Sequence, residues 1–167
     1  MPYLLIIAGP NGAGKTTFAN EYLSAQQRAA TFVNADEIAR ELPALSDVAA
    51  ARLMLDRINS LVADGADFTL ETTLASRTYA QKIPQWQTRG YVVCLIFIGL
   101  RSVEESLARV KKRVAAGGHG IPELVVRRRF LKSRNYFQQV YKPIVDVWYE
   151  WESREGEFAY LDSGARS

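Results

Sequence analysis

The chain has 167 residues, 48% apolar, 23% charged and 11% aromatic; one domain of that size buries about two-thirds of its unfolded surface, which excludes disordered and fibrous classes. Its apolar runs fall short of the roughly 20 residues a membrane span needs, and its single cysteine, Cys94, makes no internal disulfide. The net charge of +3 hides an asymmetry, because Arg101 to Arg134 holds ten basic and three acidic residues, leaving +7 there and −4 elsewhere. Such a block points to phosphate as a partner, with a solvated helix face as the plain alternative.

Met1-Pro2-Tyr3 carries no basic segment ahead of the first apolar run, so we expect no signal peptide and a cytoplasmic protein. Tyr3 to Ala8 is continuously apolar and ends at a glycine, the pattern of a strand buried on both faces of a parallel sheet. Gly9-Pro10-Asn11-Gly12-Ala13-Gly14-Lys15-Thr16 follows at once and matches G-x-x-x-x-G-K-[ST] between a strand and a helix, the context of a Walker A loop. Its glycines let successive N–H groups turn toward phosphate oxygens, and the helix beginning at Lys15 adds its positive end. Gly9 to Thr17 are therefore assigned to ATP, with Lys15 on the β- and γ-phosphates and the Thr16 hydroxyl on Mg²⁺.

A second strand, Thr31 to Val33, leads to Asn34-Ala35-Asp36-Glu37-Ile38-Ala39-Arg40. Phosphoryl transfer to an alcohol needs a proton acceptor in line with the γ-phosphorus. Asp36 fills that role or caps the next helix; Arg40, one turn on, keeps it ionised or binds an acidic substrate. A helix over Asp47 to Ala63, capped by Ser46, precedes the third strand, Asp67 to Leu70. Glu71 then stands at a strand tip, where it binds Mg²⁺ or a substrate hydroxyl. Thr72, Thr73 and Arg77 line the acceptor pocket in this reading.

A helix over Thr78 to Arg89, a strand over Tyr91 to Ile98 and a helix over Val103 to Ala116 with Ser102 as its cap come next. Arg109 and Arg113 share one face of that last helix, Gly117-Gly118-His119-Gly120 breaks it, and a second helix carries Arg127, Arg128 and Arg129. The segment reads as a lid over 109–134 that brings guanidinium charge to the transferring group: Arg109 on ATP, Arg113 and Arg128 as catalytic residues, and Lys111, Lys112, Arg129 and Lys132 in solvent. Pro122 to Glu152 reads as helical, kinked or split at Pro143, and rich in aromatic cover for the sheet, with a final strand over Phe158 to Leu161. The alternation of strands and helices predicts an α/β, P-loop NTPase (nucleotide kinase-like) three-layer sandwich with a mostly parallel five-stranded sheet and an Arg-rich lid.

The ordered combination of Gly9 to Thr17, Val33-Asn34-Ala35-Asp36 with Arg40, Leu70-Glu71-Thr72-Thr73-Leu74, Gly90-Tyr91-Val92-Val93 and Arg113 to Pro122 followed by Arg127 to Asn135 resembles the zeta-toxin family of P-loop kinases. The resemblance implies that Asp36 activates a hydroxyl, Lys15 binds the donor, Glu71 contacts the acceptor, and Arg113 and Arg128 embrace the moving phosphoryl. It also implies a small-molecule hydroxyl acceptor such as UDP-N-acetylglucosamine and an antitoxin protein as partner. Two other readings stand beside it: a kinase of nucleic-acid 5′ hydroxyls, prompted by the basic block, and an ATP-dependent interaction module without catalysis. Neither nucleic acid nor a membrane is an expected partner of the leading reading.

Overall fold

The computed structural model describes residues 1–166, apart from the side chains of Asp36, Ala39 and Asp47. Its elements are β1 (Tyr3–Ala8), α1 (Lys15–Tyr22), α2 (Ala25–Ala29), β2 (Thr31–Asn34), α3 (Ala35–Glu41), α4 (Asp47–Ala63), β3 (Phe68–Thr72), α5 (Thr78–Thr88), β4 (Val92–Gly99), α6 (Val103–Ala115), α7 (Glu123–Tyr136), a π-helical turn (Phe137–Tyr141), β5 (Val147–Arg154) and β6 (Glu157–Ala165). The strands form one sheet in the order β2-β3-β1-β4-β5-β6. All neighbours are parallel except β5 and β6, which pair antiparallel.

The uninterrupted apolar run of β1 follows from burial on both faces. Leu4, Ile6 and Ala8 join a core with Ile58 of α4, Ile83 and Trp86 of α5, and Phe137 of the π turn. Leu5 and Ile7, pointing the other way by the two-residue period of a strand, join Phe18 of α1 and Ile96 and Ile98 of β4. Helices thus cover both faces, the three-layer arrangement expected. Ser46 and Ser102 cap α4 and α6 through their side chains, accepting from Ala49 and Glu105 N–H groups. Cys94 is buried on β4, and burial pushes its thiol pKa up.

The sheet has six strands rather than five, and the expected helix over 122–152 is the reason. Only its first part is helical; β5 occupies Val147–Arg154. Within β5 the alternation is masked because its fourth residue, Glu150, is buried. Glu150 accepts hydrogen bonds from Lys142 Nζ at 3.2 Å and Gln138 Nε2 at 3.2 Å, and that ammonium also lies 3.9 Å from the Trp148 ring centroid. Asp146 fixes where β5 starts, since its Oδ2 accepts from Val93 N–H of β4 at 2.8 Å and Gln87 Nε2 of α5 at 3.1 Å.

Near the other end of β5, Glu152 accepts from Arg154 Nε at 2.5 Å and Arg101 Nε at 3.3 Å. The hydrogen bond from Arg154, joined by Arg101, holds its carboxyl below the usual 4.5. A carboxylate with a depressed folded-state pKa stabilises the fold above its unfolded value, and that contribution is lost as pH falls through the folded value. Glu152→Gln is therefore expected to unfold at lower urea than the parent at neutral pH, with the gap closing as the medium is acidified below 4.5. Paired urea titrations at several pH values measure it, and a gap that stays constant into acid contradicts the assignment.

Candidate functional site

The carboxyl ends of β1, β2 and β3 meet at one edge of the sheet, and the loop after β1 is shaped by crowding there. A Cβ on Gly9 would run into the Ile98 carbonyl of β4, so only glycine lets β1 turn at this point. The Gly9 N–H donates to the Thr72 carbonyl of β3 at 3.3 Å and the Ala13 N–H to the Pro10 carbonyl at 3.2 Å. Gly12 has φ +82°, and an added Cβ would sit 2.9 Å from Arg109 Cβ.

On the outer flank of this loop, the Ser106 hydroxyl of α6 donates to the Asn11 carbonyl at 2.5 Å. Arg109 donates from Nη1 to the Gly12 carbonyl at 3.2 Å and to Ser153 Oγ of β5 at 2.7 Å, and from Nη2 to Glu105 Oε1 at 3.2 Å. On the inner side, Lys15 Nζ donates to the Gly9 and Pro10 carbonyls at 3.0 and 3.3 Å. Asn11 is buried in the loop, and its Oδ1 has no hydrogen-bond partner among the described residues.

The Thr16 hydroxyl, in the first turn of α1, donates to Glu71 Oε2 at 3.3 Å. Glu71 lies in register with Ile7 of β1 and Asn34 of β2, so the second strand delivers α3, and Asp36 in its first turn, beside this pair. The Asp36 side chain lies outside the described residues, and the geometry of that expected base is carried by its place on α3 alone. Among the described residues no three His, Cys, Asp or Glu side chains cluster as a metal cage. Thr16 beside one carboxylate instead matches magnesium, which keeps water and phosphate among its ligands.

A cleft of about 440 Å³ opens over the loop. Asn11, Gly12, Gly14, Lys15, Thr16 and Thr17 form its floor, while Pro10 and Ala13 are buried beneath. Asn34, Glu71, Thr72 and Thr73 make one wall, Arg109, Arg113 and Arg129 the other.

Three expected residues stand elsewhere. Arg128 is exposed and does not line the cleft; Arg129 does. The phase of α7 decides this: it buries Val126 and Ser133, and at about 100° per residue Arg128 falls some 200° around from Val126 while Arg129 stays within about 60°. Arg40 is exposed on α3, roughly opposite the buried Ile38. Arg77 is exposed as well, with its guanidinium 6.0 Å from the Tyr136 ring centroid.

Met54 of α4 and Tyr79 of α5 complete the cleft, and neither was among the expected site residues. The Tyr79 hydroxyl donates to Met54 Sδ at 3.7 Å, and burial pushes its pKa up to about 12, so it stays protonated at neutral pH. The signal was present in Tyr79, Ile83 and Trp86, a buried stripe whose first member stands in the first turn of α5, next to the strand ends.

Comparison with known proteins bears on this arrangement. The AAA_33 family model, an AAA domain, matches residues 4–140. An uncharacterized protein of Haemophilus influenzae is 32% identical over 130 residues, covering 75% of this chain and 91% of its own length. A chain in the crystal structure of AvrRxo1-ORF1:AvrRxo1-ORF2 with ATP superposes on 98% of this chain with TM-score 0.76 at 21% identity, and this chain spans 58% of that one. A chain of the PezAT chromosomal toxin–antitoxin system of Streptococcus pneumoniae covers 98% of this chain and 72% of its own, with TM-score 0.67 at 15% identity. At those identities the two structures share the fold. Among the described residues no helix is long and apolar enough to cross a membrane.

Gly12→Ala puts a side chain at φ +82° and against Arg109. The variant is expected to melt within a few degrees of the parent yet to lose the upward shift that ATP gives the parent, read by a thermal melt with and without ATP. An unchanged shift contradicts the reading of the loop.

Proposed function

We propose a kinase: this chain belongs to the AAA_33 family of AAA domains, and its cleft transfers the γ-phosphoryl group of ATP to a hydroxyl of a small metabolite. The observation that carries the reading is the contact of Thr16 with Glu71 at 3.3 Å, in a cleft where arginines from two helices face the glycine loop. A glycine loop alone serves many reactions. A strand-end carboxylate beside the loop threonine, with an acceptor wall of Asn34, Thr72 and Thr73 opposite the arginines, fits phosphoryl transfer.

In this reading Lys15 exchanges the Gly9 and Pro10 carbonyls for the β- and γ-phosphate oxygens. Thr16 and Glu71 would hold Mg²⁺, which when bound neutralises charge on those oxygens. Asp36 takes the proton of the acceptor hydroxyl. The acceptor oxygen bonds to the γ-phosphorus, the bond from that phosphorus to the β–γ bridging oxygen breaks, and ADP leaves. Arg113 and Arg129 stabilise the charge spread over the transferring group, and the hairpin that carries them serves as the lid. Met54 and Tyr79 give the acceptor an apolar backstop that excludes water.

The zeta-toxin resemblance extends the proposal to a sugar nucleotide such as UDP-N-acetylglucosamine and to a protein partner that restrains the enzyme. The fold shared with a chain of a toxin–antitoxin system supports that extension.

Incubation with γ-labelled ATP and a metabolite extract, followed by mass spectrometry, is expected to give a new phosphorylated species in step with ADP. Lys15→Ala and Asp36→Asn abolish it; an Asp36→Asn enzyme working at the parental rate removes the proposed base. Arg129→Ala is expected to lower kcat by about 10² to 10³ and Arg128→Ala by less than about twofold. The reverse order returns the role to Arg128.

A further inference from the structure

The serine hydroxyls on the outer flank of the glycine loop have no part in the reaction as described. Ser106 lies on the buried face of α6, fully excluded from solvent, and spends its hydroxyl on the Asn11 carbonyl. Ser153, 2% exposed on β5, accepts from the same Arg109 Nη1 that donates to the Gly12 carbonyl. Two consecutive peptide groups of the loop are thus gripped from outside, one by a hydroxyl and one by a guanidinium that is itself held in place by Ser153 and Glu105.

In a trans peptide the C=O and the following N–H point in opposite directions. Holding the Asn11 carbonyl toward α6 aims the Gly12 N–H the other way, toward the cleft that Asn11 and Gly12 line. Holding the Gly12 carbonyl likewise sets the Ala13 N–H across the turn, where it donates to Pro10. Without its grip the Asn11 carbonyl is a buried acceptor with its donor removed, and the loop relaxes to recover one. We propose that Ser106, and Ser153 acting through Arg109, are positioning residues that hold the glycine loop open in its anion-binding shape before any phosphate arrives. This rests on the kinase reading and adds to it the device that presets donor affinity; preorganisation of this kind lowers the cost of binding.

Calorimetric titration of the whole protein with ATP and with inorganic triphosphate tests it, well below the melting point of every variant. Ser106→Ala is expected to weaken both probes about tenfold and Ser153→Ala about threefold, the scale of one lost hydrogen bond. Ser60→Ala, which deletes an exposed hydroxyl bonded within α4, leaves both affinities unchanged. In turnover the KM for ATP rises with kcat nearly constant, the pattern of uniform binding loss; a fall in kcat with KM unchanged overturns the proposal. So do parental affinities for both probes in the two variants, and Ser153→Ala alone decides the matter if Ser106→Ala does not fold. A parent that binds neither probe overturns the kinase reading itself, whatever the serines do.

Discussion

Burial of β1 between two parallel neighbours is the constraint from which the site follows. Parallel strands end at the same edge, and in the order β2-β3-β1-β4 the chain leaves β1 for one side of the sheet and returns later on the other. A crevice opens where the direction of winding changes. The glycine loop lies across it because the Ile98 carbonyl stands where a side chain on Gly9 would go. Glu71, Thr72 and Thr73 come from the strand on one side of β1, and the helix with Arg109 and Arg113 follows the strand on the other. Carboxylate and guanidinium are thus separated by the width of the crevice, and both line the same cleft.

The loop has two flanks with different duties. Inside, the Lys15 ammonium and the amino end of α1 concentrate positive potential where phosphate belongs. Outside, Ser106 and Arg109 of α6 bind the loop's carbonyls, Ser153 of β5 braces Arg109, and Phe158 of β6 packs 3.3 Å from the place a Cβ on Gly14 would occupy. Of the ten basic residues in the Arg101 to Arg134 block, the cleft takes three. Arg127 is engaged in surface ion pairs with Glu104 and Glu123, which contribute little to stability, and Arg101 joins Arg154 on the half-buried Glu152.

What could be read in advance tracks how local the cause is. The glycine loop, the serine caps of α4 and α6 and the apolar run of β1 are each fixed by neighbours in sequence, and each stands where the residues placed it. β5 was hidden because Glu150 is buried only by virtue of Lys142 and Gln138, partners in a preceding turn whose shape the sequence does not announce. That Arg129 of α7 lines the cleft and Arg128 does not was hidden for a related reason. Leu124 and Leu131 are 81% and 70% exposed, and the helix turns Val126 and Ser133 inward. Helical phase is set by what the helix packs against, here Leu107 and Val110 of α6.

That contact is itself small. Among the described residues Leu107, Val110 and Val126, with Ile121 alongside, make up the apolar cluster joining α6 to the start of α7, against twenty-one buried residues in the cluster on one face of the sheet. A segment with so little buried area opens at a free energy well below that of global unfolding. The amino-terminal half of α7 is therefore expected to exchange its amide hydrogens with solvent ahead of the strands, and α6 up to Arg109, bonded to the glycine loop, to stay protected. The boundary between those two regimes falls within a single helix, so that one arginine of the cleft is anchored to the loop and β5 while the others stand on the thinly packed part.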